Sequence, residues 1–245
     1  MIDAYDRVFA GKHTVMVVMA HPDDLDVFCG GTVARLIADG KRVIALKLTA
    51  GDKGTGDKSD NLQMMAQTRI AEDNEAMMVF GLAAADSINL RLPDGGIENT
   101  QEIIGRIAFN IRQYQPDLII TTNPDLSFIR YAEGRFRVNH RDHRNAGSCV
   151  IDAVYPCSRD RAFFPEHFQT AGLQPGRCRE FLIVDGWNEQ DGVSIDISDF
   201  VEIKRRAVRC HISQFDERKV TELIDDYSIK DNAGTFERFL YVNVE

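Results

Sequence analysis

The stretch Thr14-Val-Met-Val-Val-Met-Ala-His21-Pro-Asp-Asp24 decides the fold. Its apolar run from Val15 to Ala20 is typical of a parallel strand that is buried on both faces. Open α/β sheets place their ligands at the carboxyl ends of such strands. Here the run is followed at once by an imidazole and two adjacent carboxylates. We therefore expect a parallel sheet with a polar site at its carboxyl edge.

Apolar runs and amphipathic stretches alternate over residues 1–155, which is the pattern of repeated βα units. The predicted strands are residues 14–20, 42–49, 86–91, 117–122, 179–185, 193–197 and 237–244. The predicted helices are residues 26–39, 61–80, 99–114, 143–155, 199–212 and 217–229. We predict one α/β domain over residues 1–245. Its architecture is three-layer and Rossmann-like, a mostly parallel sheet flanked by helices with a less regular C-terminal third.

Composition narrows the class of partner. Lys and Arg total 29 against 38 for Asp and Glu, and a formal charge of -9 argues against a partner held through nucleic-acid phosphates. Five scattered cysteines predict reduced thiols in a cytoplasmic protein. No apolar run approaches the ~20 residues that span a bilayer, and the first residues lack a signal-peptide pattern. We expect a cytoplasmic protein that acts on a small molecule.

The first candidate cluster follows the first strand. Pro22 fixes the backbone φ of the turn, which places Asp23 and Asp24 at the N-cap and first turn of the next helix. Free N–H groups and the positive helix end keep carboxylates ionised there. An ionised carboxylate beside a neutral imidazole suits zinc, and a second carboxylate suits a general base. The simpler alternative is helix capping by an aspartate with a surface histidine nearby.

The second candidate cluster is His140-Arg-Asp-His143. Histidines three residues apart share one face of a starting helix, so one can bind a metal while the other donates a proton. Asp142 or Asn139 is placed to orient a ring through its second nitrogen. The simpler alternative is a solvated polar turn. Two such clusters, each after a strand, together favour a metal site.

Ala20-His21-Pro22-Asp23-Asp24 closely resembles the signature of the PIG-L/LmbE-like superfamily of zinc-dependent N-acetylglucosaminyl deacetylases. Further segments resemble the same superfamily in the same order: Thr49–Gly54, Arg69 with Glu72, Leu92–Gly96, Pro116–Ile120, His140 with His143, and Lys204 with His211–Gln214. The resemblance runs from about residue 13 to about residue 215. It implies a hydrolase that removes an N-acetyl group from an amino-sugar-type small molecule or conjugate.

The resemblance also implies the roles of individual residues. His21, Asp24 and His143 would bind zinc or another divalent metal, and Asp23 would be the general base. His140, in its protonated form, would stabilise the oxyanion or act as the acid.

Substrate contacts are implied less directly. Arg69 and Asp94 resemble contacts of the superfamily, although Arg69 with Glu72 also fits a surface ion pair and Asp94 also fits a plain turn. The signature usually ends in Glu, whereas this chain has Leu25-Asp26, so Asp26 is the candidate for that role. Some members have a Tyr where this chain has Val138.

The loop around the second cluster is rich in arginine, with members at 130, 135, 137, 141 and 144. Arg forks bind carboxylates and phosphates, so Arg135 and Arg137 are candidate contacts for an anionic substrate. The alternative is a solvated loop or a subunit contact. Many members of the superfamily are homo-oligomers, and the resemblance implies the same here.

Two other functions fit parts of the pattern. Zinc and an acid–base pair can also hydrate a carbon–carbon double bond, and the superfamily includes a hydratase of an unsaturated dicarboxylic acid. A non-catalytic nucleotide-binding module would use the same sheet edge, but the chain has neither GxGxxG after its first strand nor GxxxxGK[ST] anywhere. Deacetylation is the function that we favour.

Overall fold

The computed structural model describes residues 1–55, 61–130, 136–184 and 192–244. The strands are β1 (Thr14–Met19), β2 (Arg42–Thr49), β3 (Ser87–Leu92), β4 (Leu118–Thr121), β5 (Phe128–Arg130), β6 (Phe136–Val138), β7 (Glu180–Ile183), β8 (Gly192–Asp196), β9 (Ile229–Asp231) and β10 (Gly234–Asn243). The α-helices are α1 (Tyr5–Phe9), α2 (Asp24–Ala38), α3 (Leu62–Phe80), α4 (Gln101–Tyr114), α5 (Arg141–Asp152), α6 (Glu166–Gln169), α7 (Val201–Arg209) and α8 (Glu217–Asp226).

The main sheet has the strand order β3-β2-β1-β4-β7-β10-β8, and β9 also pairs with β10. Strands β3, β2, β1, β4 and β7 are parallel, whereas β10 runs antiparallel to β7, β8 and β9. Strand β1 lies between β2 and β4, with Val18 opposite Leu46 on one side and Thr121 on the other. The carboxyl end of the central strand is therefore flanked by the same ends of its two neighbours.

The residues of β1 alternate between two cores. Val15, Val17 and Met19 pack against α1, α2, α7 and α8 on one face of the sheet. Met16 and Val18 pack against α4 and α5 on the other face. This alternation follows from the two-residue period of a strand. It makes three layers, and the predicted α/β architecture with a mostly parallel sheet is confirmed.

Most predicted elements are present within a few residues, and the differences lie in short segments. The polar stretch at 123–139 contains a two-stranded ribbon of β5 and β6, which its residue pattern does not predict. The helix predicted at 217–229 ends at Asp226, and Ile229 begins a strand. Helix α5 begins at Arg141, two residues earlier than predicted.

The five cysteines are all free, and four of them are buried. Burial raises the pKa of the Cys149 thiol to about 12. No helix in the described part of the chain has both the length and the apolar character that crossing a membrane requires.

A buried ion pair joins α7 to β10. The Lys204 Nζ atom lies 2.8 Å from Glu237 Oε1, and both side chains are fully buried. The Glu237 carboxylate also accepts hydrogen bonds from the backbone N–H groups of Gly31 and Thr32 in α2. Lys204 donates in addition to the Tyr227 carbonyl. Every charge in this cluster has a partner, so the pair ties α2, α7 and the antiparallel end of the sheet together.

We expect Lys204→Met to lower the free energy of unfolding by about 3–5 kcal/mol, because the Glu237 carboxylate would stay buried without its cation. Urea denaturation followed by circular dichroism measures this change. The control is Lys219→Met, which removes an exposed lysine paired with Glu222 and should cost less than about 1 kcal/mol. Equal losses in the two variants would contradict the prediction.

Candidate active site

The turn between β1 and α2 sets the position of His21. The Ala20 carbonyl accepts hydrogen bonds from both the backbone N–H and the hydroxyl of Thr49, each at 2.9 Å, which fixes the end of β1 against β2. The next peptide turns, and the His21 N–H donates to Asp24 Oδ2 at 2.8 Å. The Asp24 carboxylate is thereby held beside the ring of the histidine three residues earlier.

Helix α5 brings the second cluster to the same edge. His140 is its N-cap, and the Asp142 N–H donates to His140 Nδ1 at 3.2 Å. The Thr122 hydroxyl, just after β4, donates to the His143 carbonyl at 2.6 Å. One turn further, a Cβ at Gly147 would lie 2.3 Å from the Thr122 carbonyl oxygen. Glycine at this position lets α5 approach β4 closely, and His143 reaches the cleft as a result.

Three donor atoms converge at this edge. His21 Nδ1 lies 3.2 Å from His143 Nε2 and 3.3 Å from Asp24 Oδ2, and His143 Nε2 lies 3.1 Å from Asp24 Oδ1. Two basic ring nitrogens this close repel each other unless a proton or a cation lies between them. Two imidazoles and one carboxylate form a suitable three-residue ligand set for a catalytic divalent metal. The arrangement is therefore a candidate metal centre.

Two carboxylates orient the His21 ring from its other side. His21 Nε2 lies 3.2 Å from Asp94 Oδ1 and 3.7 Å from Asp142 Oδ2. A proton on Nε2 satisfies these oxygens and leaves the Nδ1 lone pair directed at Asp24 and His143. Asp142 is itself fixed by the Gly95 N–H at 2.6 Å. Such outer carboxylates set the tautomer of metal-binding histidines.

Charge in the site is strongly biased toward ionised carboxylates. Burial raises the pKa of Asp24, but His143 and His21 outweigh it and hold that pKa well below its ordinary value. Burial lowers the pKa of His21, yet the carboxylates of Asp24, Asp142 and Asp94 outweigh it and hold that pKa well above its ordinary value. The site attracts positive charge at the point where the three donors meet.

His140 differs from the other two histidines in its exposure and in the direction in which its surroundings shift its pKa. Its side chain is exposed, and burial of part of the ring together with His21 and His143 lowers its pKa. Its Nδ1 accepts a backbone hydrogen bond, so the proton of the neutral ring is on Nε2. A nitrogen of His140 nevertheless lies within 4.8 Å of nitrogens of His21 and His143. In the neutral ring, the Nε2–H group of His140 is thus a hydrogen-bond donor beside the three convergent side chains.

Asp23 is held by an arginine and does not cap the helix. Its side chain accepts no capping hydrogen bond at the start of α2. Instead, its Oδ1 lies 2.7 Å from Arg69 Nη2, while Arg69 Nη1 donates to the Gly51 carbonyl at 3.0 Å. Arg69 is buried, and Glu72 is also buried, with its carboxylate bonded to Ser213. The helix-capping and surface-pair alternatives are therefore both wrong.

Asp26 and His211 form a second buried pair behind Asp23. Asp26 Oδ2 lies 2.7 Å from His211 Nε2, and both side chains are fully buried. Asp26 thus ties the C-terminal segment of the chain to α2. The neighbouring Gln214 donates from its side-chain amide to the Gly54 carbonyl at 2.9 Å, which brings that segment to the cleft.

These groups line one cleft of about 510 Å³. The lining residues are His21, Asp23, Asp24, Lys53, Gly54, Arg69, Asp94, Gly95, Arg137, Val138, His140, His143 and Gln214. Among the candidate substrate contacts, Arg69, Asp94 and Arg137 therefore face the cleft, and Arg135 lies outside the described residues.

Two other arginines of this segment donate hydrogen bonds to nearby backbone carbonyl groups. Arg141 donates to the carbonyls of Gly95 and Ile97, and Arg144 donates to that of Asn139. Asn139 donates to the carbonyl oxygens of two residues in the 123–126 loop and orients none of the rings. Of the two residues proposed to orient a histidine ring, only Asp142 is close to one.

Lys53 and Gln214 line the cleft although the sequence assigns them no role. Lys53 lies in the polar loop after the second strand, and its place after a parallel strand is the feature of the sequence that could have predicted its position at the cleft. Gln214 belongs to a segment that resembles the superfamily, but only its contact with the loop at Gly54 places it at the cleft. No local pattern in the sequence predicts that contact.

The fold and the cleft define the class of protein: an α/β protein with a candidate divalent-metal centre at the carboxyl edge of its mostly parallel sheet. The chain belongs to the family described as PIG-L: GlcNAc-PI de-N-acetylase, whose model matches residues 16–154. The diacetylchitobiose deacetylase of Thermococcus kodakarensis is 31% identical over 213 residues, which cover 87% of this chain and 74% of that relative.

Solved structures agree with this assignment. The N,N'-diacetylchitobiose deacetylase from Pyrococcus horikoshii, complexed with its inhibitor MPG, matches with a TM-score of 0.75 at 26% identity. The match covers 87% of this chain and 75% of that one. These likenesses indicate that the chain is an enzyme, an amide hydrolase of the N-deacetylase type.

One solved structure bears on the alternative reaction. GalB, the 4-carboxy-2-hydroxymuconate hydratase from Pseudomonas putida KT2440, matches with a TM-score of 0.70 over 93% of this chain and 95% of that one. Its sequence identity is only 15%, so the likeness concerns the fold alone. The deacetylase assignment is the stronger one.

We expect Gly51→Ala to reduce kcat/KM at least about tenfold, because a Cβ there would lie 2.3 Å from Arg69 Nη1 and displace the guanidinium from Asp23. Acetate release under steady-state conditions measures this change. The control is Gly40→Ala, which has a similar positive φ but no atom within 4 Å of its new Cβ. Both variants should be destabilised by about 1 kcal/mol, so a similar loss of activity in both would contradict the prediction.

Proposed function

We propose that this protein hydrolyses the N-acetyl group of an amino-sugar-type small molecule or conjugate, releasing acetate and a free amine. The observation that carries the proposal is an arginine-bound carboxylate, Asp23, beside three convergent metal donors in one cleft. The names of the relatives support an acetylated glucosamine unit as the substrate class. We therefore expect the residues that carry out the reaction to be among those that line the cleft.

The donor set fits zinc. His21 through Nδ1, His143 through Nε2 and the Asp24 carboxylate would hold the ion, and their mutual distances of 3.1–3.3 Å support this set. His140 is a poorer third ligand because its Nδ1 is bonded to the Asp142 N–H. When bound, the ion supplies Lewis-acid polarisation of the acetamide carbonyl and lowers the pKa of water.

Asp23 would act as the general base and then as the acid. Its ion pair with Arg69 holds the carboxylate at the edge of the cleft, where it would take a proton from the attacking water. Once protonated, the same carboxyl group can pass that proton to the amide nitrogen, which is a poor leaving group until it is protonated. Arg69 is a positioning residue in this scheme, since both of its hydrogen bonds fix the carboxylate and the Gly51 loop.

His140 would stabilise the oxyanion as a neutral donor. Its lowered pKa and its engaged Nδ1 leave an Nε2–H group for the oxygen that becomes negative as water adds to the carbonyl. A preorganised donor of this kind is worth about 10²–10³ in kcat. Proton transfer is assigned to Asp23 because a neutral imidazole with its Nδ1 already bonded is a weak acid.

The position of Arg137 is an argument for an anionic group on the substrate. It lines the cleft, and the aromatic rings of Phe28 and Tyr227 lie 5.7 and 5.2 Å from its guanidinium carbon. Stacked arginines of this kind bind carboxylates and phosphates.

Arg135, Arg69 and Asp94 are proposed as further substrate contacts. We also propose, from the family resemblance, a homo-oligomer that works in the cytoplasm.

Metal analysis and acetate release from purified protein test the function. We expect about one zinc per chain and acetate release from N-acetylglucosamine, N,N'-diacetylchitobiose or N-acetylglucosamine 6-phosphate. The hydratase alternative predicts instead a loss of enoate absorbance with an unsaturated dicarboxylic acid. Hydration of that acid with no acetate from any sugar would overturn the proposal.

We expect Asp23→Asn to retain zinc but to lose at least about 10²-fold in kcat, because the amide can neither accept nor pass on the proton. Asp24→Ala is the matched comparison at the adjacent position, and it should lose the bound metal as well as activity. Metal content after dialysis and steady-state acetate release distinguish the two roles. An active Asp23→Asn enzyme, or an Asp24→Ala protein with stoichiometric zinc, would contradict the assignment.

A further inference from the structure

The ribbon of β5 and β6 has an exposed apolar face beside the cleft. Phe128 pairs with Val138 and Arg130 pairs with Phe136, so these four side chains lie on one face of the ribbon. The apolar three are 62%, 71% and 65% exposed for Phe128, Val138 and Phe136. We call this surface, formed by residues 128, 130, 136 and 138, the outer ribbon face.

The opposite face of the ribbon accounts for its position. Ile129 is fully buried, and its cross-strand partner Arg137 stacks near Phe28 and Tyr227. These inward residues fix the ribbon against the body of the protein. Burial of the inner face does not explain two phenylalanines on the outer one, since a ribbon needs only one apolar face to be held in place.

The outer ribbon face is continuous with the cleft. Val138 belongs to both, and it is the one aliphatic side chain among the described residues that line the cleft. Elsewhere the lining is charged or polar, apart from two glycines. A polar amino sugar therefore matches the interior of the cleft. Among the described lining residues, Val138 offers aliphatic surface to an apolar group attached to that sugar, and it leads on to Phe136 and Phe128.

We propose that the outer ribbon face binds an apolar aglycone, an alkyl or aryl group on the anomeric oxygen of the N-acetylated sugar. This inference rests on the proposed deacetylase function and adds its substrate class. Phenylalanine and valine side chains offer no hydrogen-bonding groups, so this surface would gain free energy by burying apolar area of the attached group. Arg130 is the single polar member, and its guanidinium carbon lies 5.9 Å from the centre of the Phe136 ring.

The test compares hexyl and methyl N-acetyl-β-D-glucosaminide, both kept below the concentration at which micelles form. We expect the wild-type protein to favour the hexyl glycoside roughly tenfold in kcat/KM, mainly through a lower KM, since contact with a few apolar side chains is worth about that much. In the double variant Phe128→Ser/Phe136→Ser, the ratio should fall to about one. The control is Ile212→Ser, which removes an equally exposed apolar residue outside the cleft and should keep the wild-type ratio.

Each outcome decides the matter. A wild-type ratio near one, or a ratio that the double variant retains, overturns the aglycone site. If the double variant keeps the ratio but loses its assembled mass in gel filtration with light scattering, the face belongs to a second copy of the chain. Acetate from neither glycoside nor from any of the N-acetylated sugars named above would contradict the proposed function, whereas acetate from both glycosides at equal efficiency would contradict only the aglycone site.

Discussion

Parallel pairing of β1 with β4 is the constraint on which the site depends. Val18 lies opposite Thr121, so the two strands end together at the same edge. The chain leaves β1 through His21 and α2, and it returns after β4 through α5, which carries His143. Residues 122 positions apart in sequence thereby come to 3.2 Å from each other. The hydrogen bond from Thr49 to Ala20 fixes the end of β1, and the bond from Thr122 to His143 fixes the start of α5 against β4.

Burying several charged side chains at this edge of the sheet raises the free energy of the folded protein unless each charge has a partner. Asp24, Asp94 and Asp142 converge on two histidines, and Arg69 pairs with Asp23. Each carboxylate also accepts a bond from the backbone or from a cation, so none is left to face apolar surroundings alone. A divalent ion fits the remaining excess of negative charge. The same arrangement places Asp23, the proposed base, in the same cleft as His140.

Much of this organisation could be predicted from the sequence, because it depends on short-range patterns. Buried runs such as residues 14–20 identify the parallel strands, and the polar residues after them identify the edge. The convergence of His21, Asp24 and His143 follows from strand ends that meet. The pairing of Asp23 with Arg69 depends on the rotation of a helix 46 residues away, which no local pattern reports.

What the sequence does not predict has equally specific causes. The ribbon of β5 and β6 has strands of three residues, too short for alternation to show against a polar background. The spacing of His140 and His143 does not reveal that a backbone N–H at the start of α5 donates to one ring nitrogen of His140. The turn that contains Asp94 does not reveal that its carboxylate lies 3.2 Å from the His21 ring.

The absence of a side chain at Gly147 has a consequence for how this enzyme tolerates change. Because the backbone of α5 lies directly against the Thr122 carbonyl oxygen and Pro124, the spacing between α5 and the end of β4 leaves no room for a larger residue at position 147. The position of His143 is thus set by a contact between backbone segments. The ribbon that borders the cleft is instead held by inward side chains such as Ile129 and Arg137. Substitutions on the exposed face of the ribbon therefore leave this backbone contact, and with it the position of His143, unchanged.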